Sequence, residues 1–208
     1  MMVKDGVLME LTEGEFLALL TSERRAFILD SVSNGVSDYD NPEFYGAEAR
    51  RDHTRSVIAQ IRNCHIVARA KRALVGRTDI RVSTEGSRVL FIIADQARVS
   101  FKKLDKRLRS RNYPTPQAMD FLKQKLPHLD EVRTLTNIVA GYRPDDLDTG
   151  FEVHVVCPKD ARNMWEIKLS GSEVVDFFTP QQAPAAATQP RVQIRPGALK
   201  RASDGTGE

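Results

Sequence analysis

The spacing of hydrophobic positions changes character along this chain. Up to Gly76, apolar residues recur at three- and four-residue steps, the period of a helix buried on one side. From Ile80 they fall into short runs or alternate with polar residues, the period of strands, with one return to helical spacing after Pro114. Thr12 and Glu15 have capping-box spacing and predict a short helix through Leu20. Ser22 caps a second helix over Glu23–Ser33, with Phe27, Ile28 and Val32 on its apolar side and Asn34-Gly35 as its stop. The connection between these two is too short for a helix-turn-helix, and the second carries few base-reading side chains. Ser37–Gly46 reads as a polar and aromatic loop turning at Asn41-Pro42. Its Tyr39, Phe44 and Tyr45 either pin the loop to the domain surface or offer stacking faces to a base. Ala47–Leu74 reads as one long helix with a buried stripe of Val57, Ile61, Cys64 and Ala68, widened by Ile58 and His65. Its arginines form a solvated face, and the Arg69–Arg72 end stays open as an anion-facing surface.

Strands are expected over Ile80–Thr84, Val89–Ala94, and the alternating Arg98–Lys102, with a turn at Asp95-Gln96. Thr115 is a natural N-cap, and Pro116 suits the first position of a helix that ends by Pro127. Three more strands follow, Arg133–Val139, Phe151–Cys157 and Met164–Leu169. The turn-rich GYRPDDLDTG joins the first two, and PKDARN the last two. Their alternation predicts an antiparallel meander with one face buried. The fold class is α+β: N-terminal helices including one long amphipathic helix, then antiparallel strands in two sets separated by a helix. Residues 1–178 form a single domain, with a helical hairpin and loop over 1–46 and the long helix plus sheet over 47–178. Residues 179–208, rich in Pro, Ala and Gln at first, read as a flexible tail.

The apolar fraction of 41% over 208 residues supplies a core and leaves room for that tail. No apolar run is long enough to span a membrane. The N-terminus shows no basic region followed by an apolar one, so no signal peptide is expected. Cys64 and Cys157 are too few for a disulfide framework, which predicts buried thiols in a cytoplasmic protein. A net charge of +3 is modest, but the charge is clustered.

The densest cluster is Lys102, Lys103, Lys106, Arg107, Arg109 and Arg111, opposed by Asp105 and followed by Tyr113. Such a run attracts phosphates and predicts nucleic-acid or anion binding. It suits an acidic protein partner equally, or is a solvated charged loop. Glu166 and Lys168 have the Glu-x-Lys spacing of metal-dependent nucleases, with Asp145, Asp146 and Asp148 upstream as further acids. Any exposed strand with alternating charges makes the same pattern. His53, His65, His128 and His154 show no metal-ligand spacing, and no phosphate loop, dinucleotide fingerprint or Gly-x-Ser-x-Gly elbow is present, so neither metal nor cofactor is expected.

The segment FKKLD (Phe101–Asp105), LRSRN (Leu108–Asn112), Pro114-Thr115 and Gln117-Ala118, with Gly141-Tyr142, Cys157-Pro158 and Trp165 downstream, resembles an uncharacterised but widespread bacterial protein family. The resemblance covers roughly residues 55–170. Such proteins are often encoded beside a fused helix-turn-helix and zinc-peptidase protein. That arrangement implies a toxin-like effector of a toxin–antitoxin or phage-defence pair, with an antitoxin-like partner from its own operon. It carries no catalytic residue over.

Overall fold

The computed structural model describes residues 10–110, 115–125, 135–147 and 149–169. The chain is α+β: four helices, α1 (Glu13–Leu19), α2 (Ser22–Asp40), α3 (Ala47–Arg51) and α4 (Arg55–Arg72), precede the sheet. The strands are β1 (Ile80–Glu85), β2 (Arg88–Ile93), β3 (Ala97–Lys103), β4 (Thr136–Pro144), β5 (Phe151–Lys159) and β6 (Arg162–Lys168), with α5 (Pro116–Leu122) between β3 and β4. The strands lie in sequence order in one sheet. The two expected sets are both antiparallel, and they join edge to edge through a parallel pair, β3 with β4. A parallel pair needs a crossover, which the segment carrying α5 provides.

The caps at Thr12 and Thr115 form as their sequences require. The Thr12 side chain accepts from the Glu15 amide while Glu15 reaches back to the Thr12 N–H. Thr115 Oγ1 accepts from the Ala118 amide, with Pro116 opening the helix. Asn34-Gly35 does not stop α2, which runs on to Asp40 and takes in Tyr39 from the expected loop. The helix ends where Pro42 forces Asn41 into an extended conformation. Gly35 serves packing instead: a Cβ there would lie 2.5 Å from Ile66 Cα, so α2 and α4 touch backbone to backbone.

The long helix is also broken. Asp52–Thr54 separates α3 from α4, and Thr54 Oγ1 caps the Val57 amide. The buried line of α4 is Arg62, Ile66 and Ala70, not Val57, Ile61, Cys64 and Ala68. Cys64 is exposed, whereas Cys157 is buried and burial pushes its thiol up to about 12. Arg62 can line the core because its guanidinium lies against the Tyr39 and Tyr142 rings and reaches the Asp40 carboxylate. The aromatic loop is pinned: the Tyr45 hydroxyl bonds His65 Nε2 at 3.1 Å, and that of Tyr39 bonds His53 Nδ1 at 3.0 Å.

One sheet face carries the main core. Phe16, Phe27, Ile28, Val32 and Ile66 pack on Phe91, Val99, Ile138, Tyr142, Val155 and Trp165. On the other face Leu90, Val139 and Val156 meet Phe121 of α5 and Leu104. β4 and β5 are therefore buried on both faces, and the expected one-faced alternation survives only in β6. β4 also runs through Gly141-Tyr142, expected as loop. Gly141 is required there, because a Cβ would fall 1.8 Å from the Lys102 carbonyl. The β2–β3 turn is centred one residue earlier than expected, on Ala94-Asp95, both at positive φ as a hairpin's mirror-image turn demands. The start of the expected Arg133–Val139 strand and the 179–208 tail lie outside the described residues.

Candidate functional site

The basic run divides into two places. Lys102 and Lys103 close β3, with Lys102 half-buried beside Arg88, while Lys106, Arg107 and Arg109 stand on an exposed loop over 104–110. Arg111 and Tyr113 lie outside the described residues. The loop is short because its ends bridge, Leu104 with Ser110. Asp105 organises its interior. The Asp105 carboxylate accepts from the Arg107 amide at 2.8 Å and the Arg109 amide at 3.0 Å, and its backbone carbonyl accepts from the Leu108 amide. From outside, Asn163 Nδ2 donates to the Leu108 carbonyl at 3.0 Å. Leu108 adopts a positive φ to close the turn and turns its side chain onto the Leu90–Phe121 cluster. The acid inside the run thus holds the loop backbone with one carboxylate oxygen and faces the Arg109 guanidinium with the other, while Lys106 and Arg107 stand exposed on a fixed frame. Lys106 meets Asp146 at 2.7 Å, both about four-fifths exposed, and Arg109 meets Asp105 at 3.6 Å. Exposed pairs of this kind hold by about 1 kcal/mol or less and exchange readily for another anion.

Beside the loop a cleft of about 250 Å³ opens between the end of α5 and the β5–β6 turn. Leu122, Val139 and Val156 line it on the apolar side, and Asp105, Arg109, Asp160 and Arg162 on the polar side.

The Glu-x-Lys pair is placed differently. Glu166 accepts from Asn163 Nδ2 at 3.1 Å, and Lys168 Nζ donates to Glu152 at 2.6 Å. Glu152 also takes Arg143 and His154, and with Lys168 as the main cause these partners hold its carboxyl down at about 2. Glu166 sits opposite Val156 on β5, whereas Asp145 follows the Pro144–Phe151 pair at the far end of the same ladder. Five to six strand residues separate them, about 20 Å, so the two carboxylates do not share an ion. Asp145 is occupied by Thr149, whose hydroxyl and amide both donate to it. Asp148 lies outside the described residues. Among the described residues no three His, Cys, Asp or Glu side chains gather as a metal site requires.

Of the Arg69–Arg72 end, Arg69 is bound bidentately to Asp38. Lys71 lines a second cleft, of about 360 Å³, between α4 and the ends of β2 and β3, whereas the guanidinium of Arg88, from that strand end, lies over the Phe121 ring on the other face of the sheet. Sequence reading missed this cleft because its lining comes from α4, β2 and β3, and nothing in local spacing links them. Among the described residues no helix is long and apolar enough to cross a membrane. No protein family, no curated protein and no solved structure matches this chain.

Proposed function

We propose that this protein is a non-enzymatic nucleic-acid-binding module that engages the phosphate backbone through the 104–110 loop. The observation that supports it is the loop's frame: Asp105 and Asn163 hold the backbone while Lys106, Arg107 and Arg109 project from it. A pre-ordered cationic loop loses little entropy on binding and gains from counterion release. The cleft beside it offers Leu122, Val139 and Val156 to a base projecting from an unpaired strand, with Arg109 and Arg162 set against the Asp105 and Asp160 carboxylates in its lining. Binding of a single-stranded oligonucleotide, measured by fluorescence anisotropy across a salt series, should weaken steeply. Three phosphate contacts predict a log–log slope of about −2 on a single strand. Reversing Lys106, Arg107 and Arg109 to Glu should abolish that slope and the binding. Unchanged affinity in that triple variant ends this reading. A toxin-like role with an antitoxin-like operon partner rests on the family resemblance. Its test is co-expression with the adjacent gene product followed by pull-down. No complex, and no growth defect when this chain is expressed alone, would sink it.

A further inference from the structure

The sheet has two outer strands, and they are finished differently. β6 is interrupted: Cys157 pairs with Trp165 and Pro158 with Asn163, so Met164 bulges between them. The Trp165 indole N–H also donates to the Leu11 carbonyl at 2.8 Å, which ties the stretch ahead of α1 to this strand. Bulges and covering segments keep an edge from pairing with another chain. Among the described residues β1 has neither. All six of its residues pair with β2 in unbroken register, and its sequence, IRVSTE, contains no proline, glycine or lysine. Among the described residues no backbone hydrogen bond reaches Ile80–Glu85 from the side away from β2.

The side chains of β1 complement themselves. Ile80 enters the main core, so Val82 and Thr84 share its face of the strand and Arg81, Ser83 and Glu85 take the other. Val82 and Thr84 are exposed. Positions along an antiparallel pair alternate between hydrogen-bonded and non-hydrogen-bonded. Two copies of one strand can therefore pair about a two-fold axis only with a residue opposite its own equivalent at the centre. With Ser83 at the centre, Arg81 of each copy stands opposite Glu85 of the other, and Val82 opposite Thr84. That gives an opposite-charge pair on one face and two β-branched side chains together on the other, each arrangement occurring twice. With Val82 at the centre, Asp79 would instead stand opposite Glu85, two like charges. The charged groups are available. Arg81 is 62% exposed and held by Asp95 in a surface pair that exchanges readily. Glu85 gives one oxygen to Arg98 at 2.8 Å, and its second accepts no hydrogen bond among the described residues.

We propose that β1 joins two copies of this chain, pairing antiparallel with its own equivalent about Ser83, so that the sheet runs on from one copy into the other. The outward N–H and C=O groups of each β1 then satisfy one another. Two Arg81–Glu85 ion pairs span one face, and Val82 packs against Thr84 on the other. A second copy suits this edge because the charge order of β1, cation near one end and acid at the other, is matched by its own reversal. A contact of six strand residues a side is small for a specific interface, so the dimer comes apart on dilution. This contact is separate from the 104–110 loop and stands or falls apart from it.

The test is sedimentation velocity of the full chain over a concentration series, with a reductant present so that the exposed Cys64 cannot cross-link copies. The chain should pass from monomer to dimer as concentration rises. Ser83→Lys sets like charges opposite each other on the axis, and Val82→Lys removes the β-branched contact twice over. Each should raise the dissociation constant about tenfold. Val82 is 42% exposed, so its variant keeps the fold. The register is read by cross-linking in a Cys64→Ser background. Ser83→Cys should oxidise to a covalent dimer, whereas Thr84→Cys should not, because its equivalents lie about 8 Å apart, beyond disulfide reach. A monomer at every concentration overturns the proposal, whether the edge is then covered by this chain's own tail or by a different protein. So does a dimer that both lysine variants leave unchanged, or cross-linking of Thr84→Cys as complete as that of Ser83→Cys.

Discussion

Gly35 is in the middle of a helix, where alanine would ordinarily be better by about 1 kcal/mol. Here the sign reverses. The added methyl would meet the Ile66 backbone at 2.5 Å, and backbone cannot rotate away as a side-chain tip does. Gly35→Ala should destabilise by about 2 kcal/mol or more, read as a lower urea midpoint with unchanged slope. A midpoint equal to or above the parent's would refute the close contact of α2 with α4. The same residue shows where sequence reading ends. Asn34-Gly35 looks like a helix stop, because local chemistry permits a stop there, but the glycine is needed for a neighbour 31 positions away. Arg62 makes the complementary point. By residue type it belongs to a solvated face, and only the Tyr39 and Tyr142 rings with Asp40 make its burial tolerable. The capping residues Thr12, Glu15 and Thr115 were legible because their partners lie three residues on.

Elements are tied to one another by side chains that cross strands. Glu152 of β5 holds Arg143 of β4 and Lys168 of β6, with His154 alongside. These partners lower its folded pKa to about 2, below an unfolded value near 4.5. A lowered carboxylate pKa contributes stability that is whole above the unfolded value and is lost as pH falls toward the folded one. Thermal unfolding should therefore show an acid limb between pH about 4.5 and about 2, and Glu152→Gln should flatten it. An acid limb of the same depth in the variant would mean that Glu152 does not carry it. At this scale the alternating strands β5 and β6 were legible in type and roughly in place. The burial of β5 on both faces was not, since it depends on Leu104 and Phe121, which arrive from a loop and a short helix elsewhere in the chain. The candidate site followed the same division. The 104–110 loop is a local run of charge and could be read directly. The cleft between α4, β2 and β3 draws its lining from three elements and could not.

At the scale of the whole molecule, the helices-first, strands-after order and the α+β class follow from the change of hydrophobic period along the chain. The single parallel pair within an otherwise antiparallel sheet has a consequence for how the chain reaches this state. The hairpins β1–β2, β2–β3, β4–β5 and β5–β6 each close a short loop. The β3–β4 seam must close the whole crossover, whose ordering entropy is spent before its contacts form. Folding should therefore proceed as two three-stranded pieces that meet late, with the seam setting the rate. In pulse-labelled hydrogen exchange during refolding, amides that bond across β3–β4 should gain protection after those bonded across β5–β6. Simultaneous protection of both would show instead that the sheet assembles in one step. Until the seam closes, the facing edges of β3 and β4 are unpaired templates for another chain, so the refolding yield should be most sensitive to protein concentration in that interval.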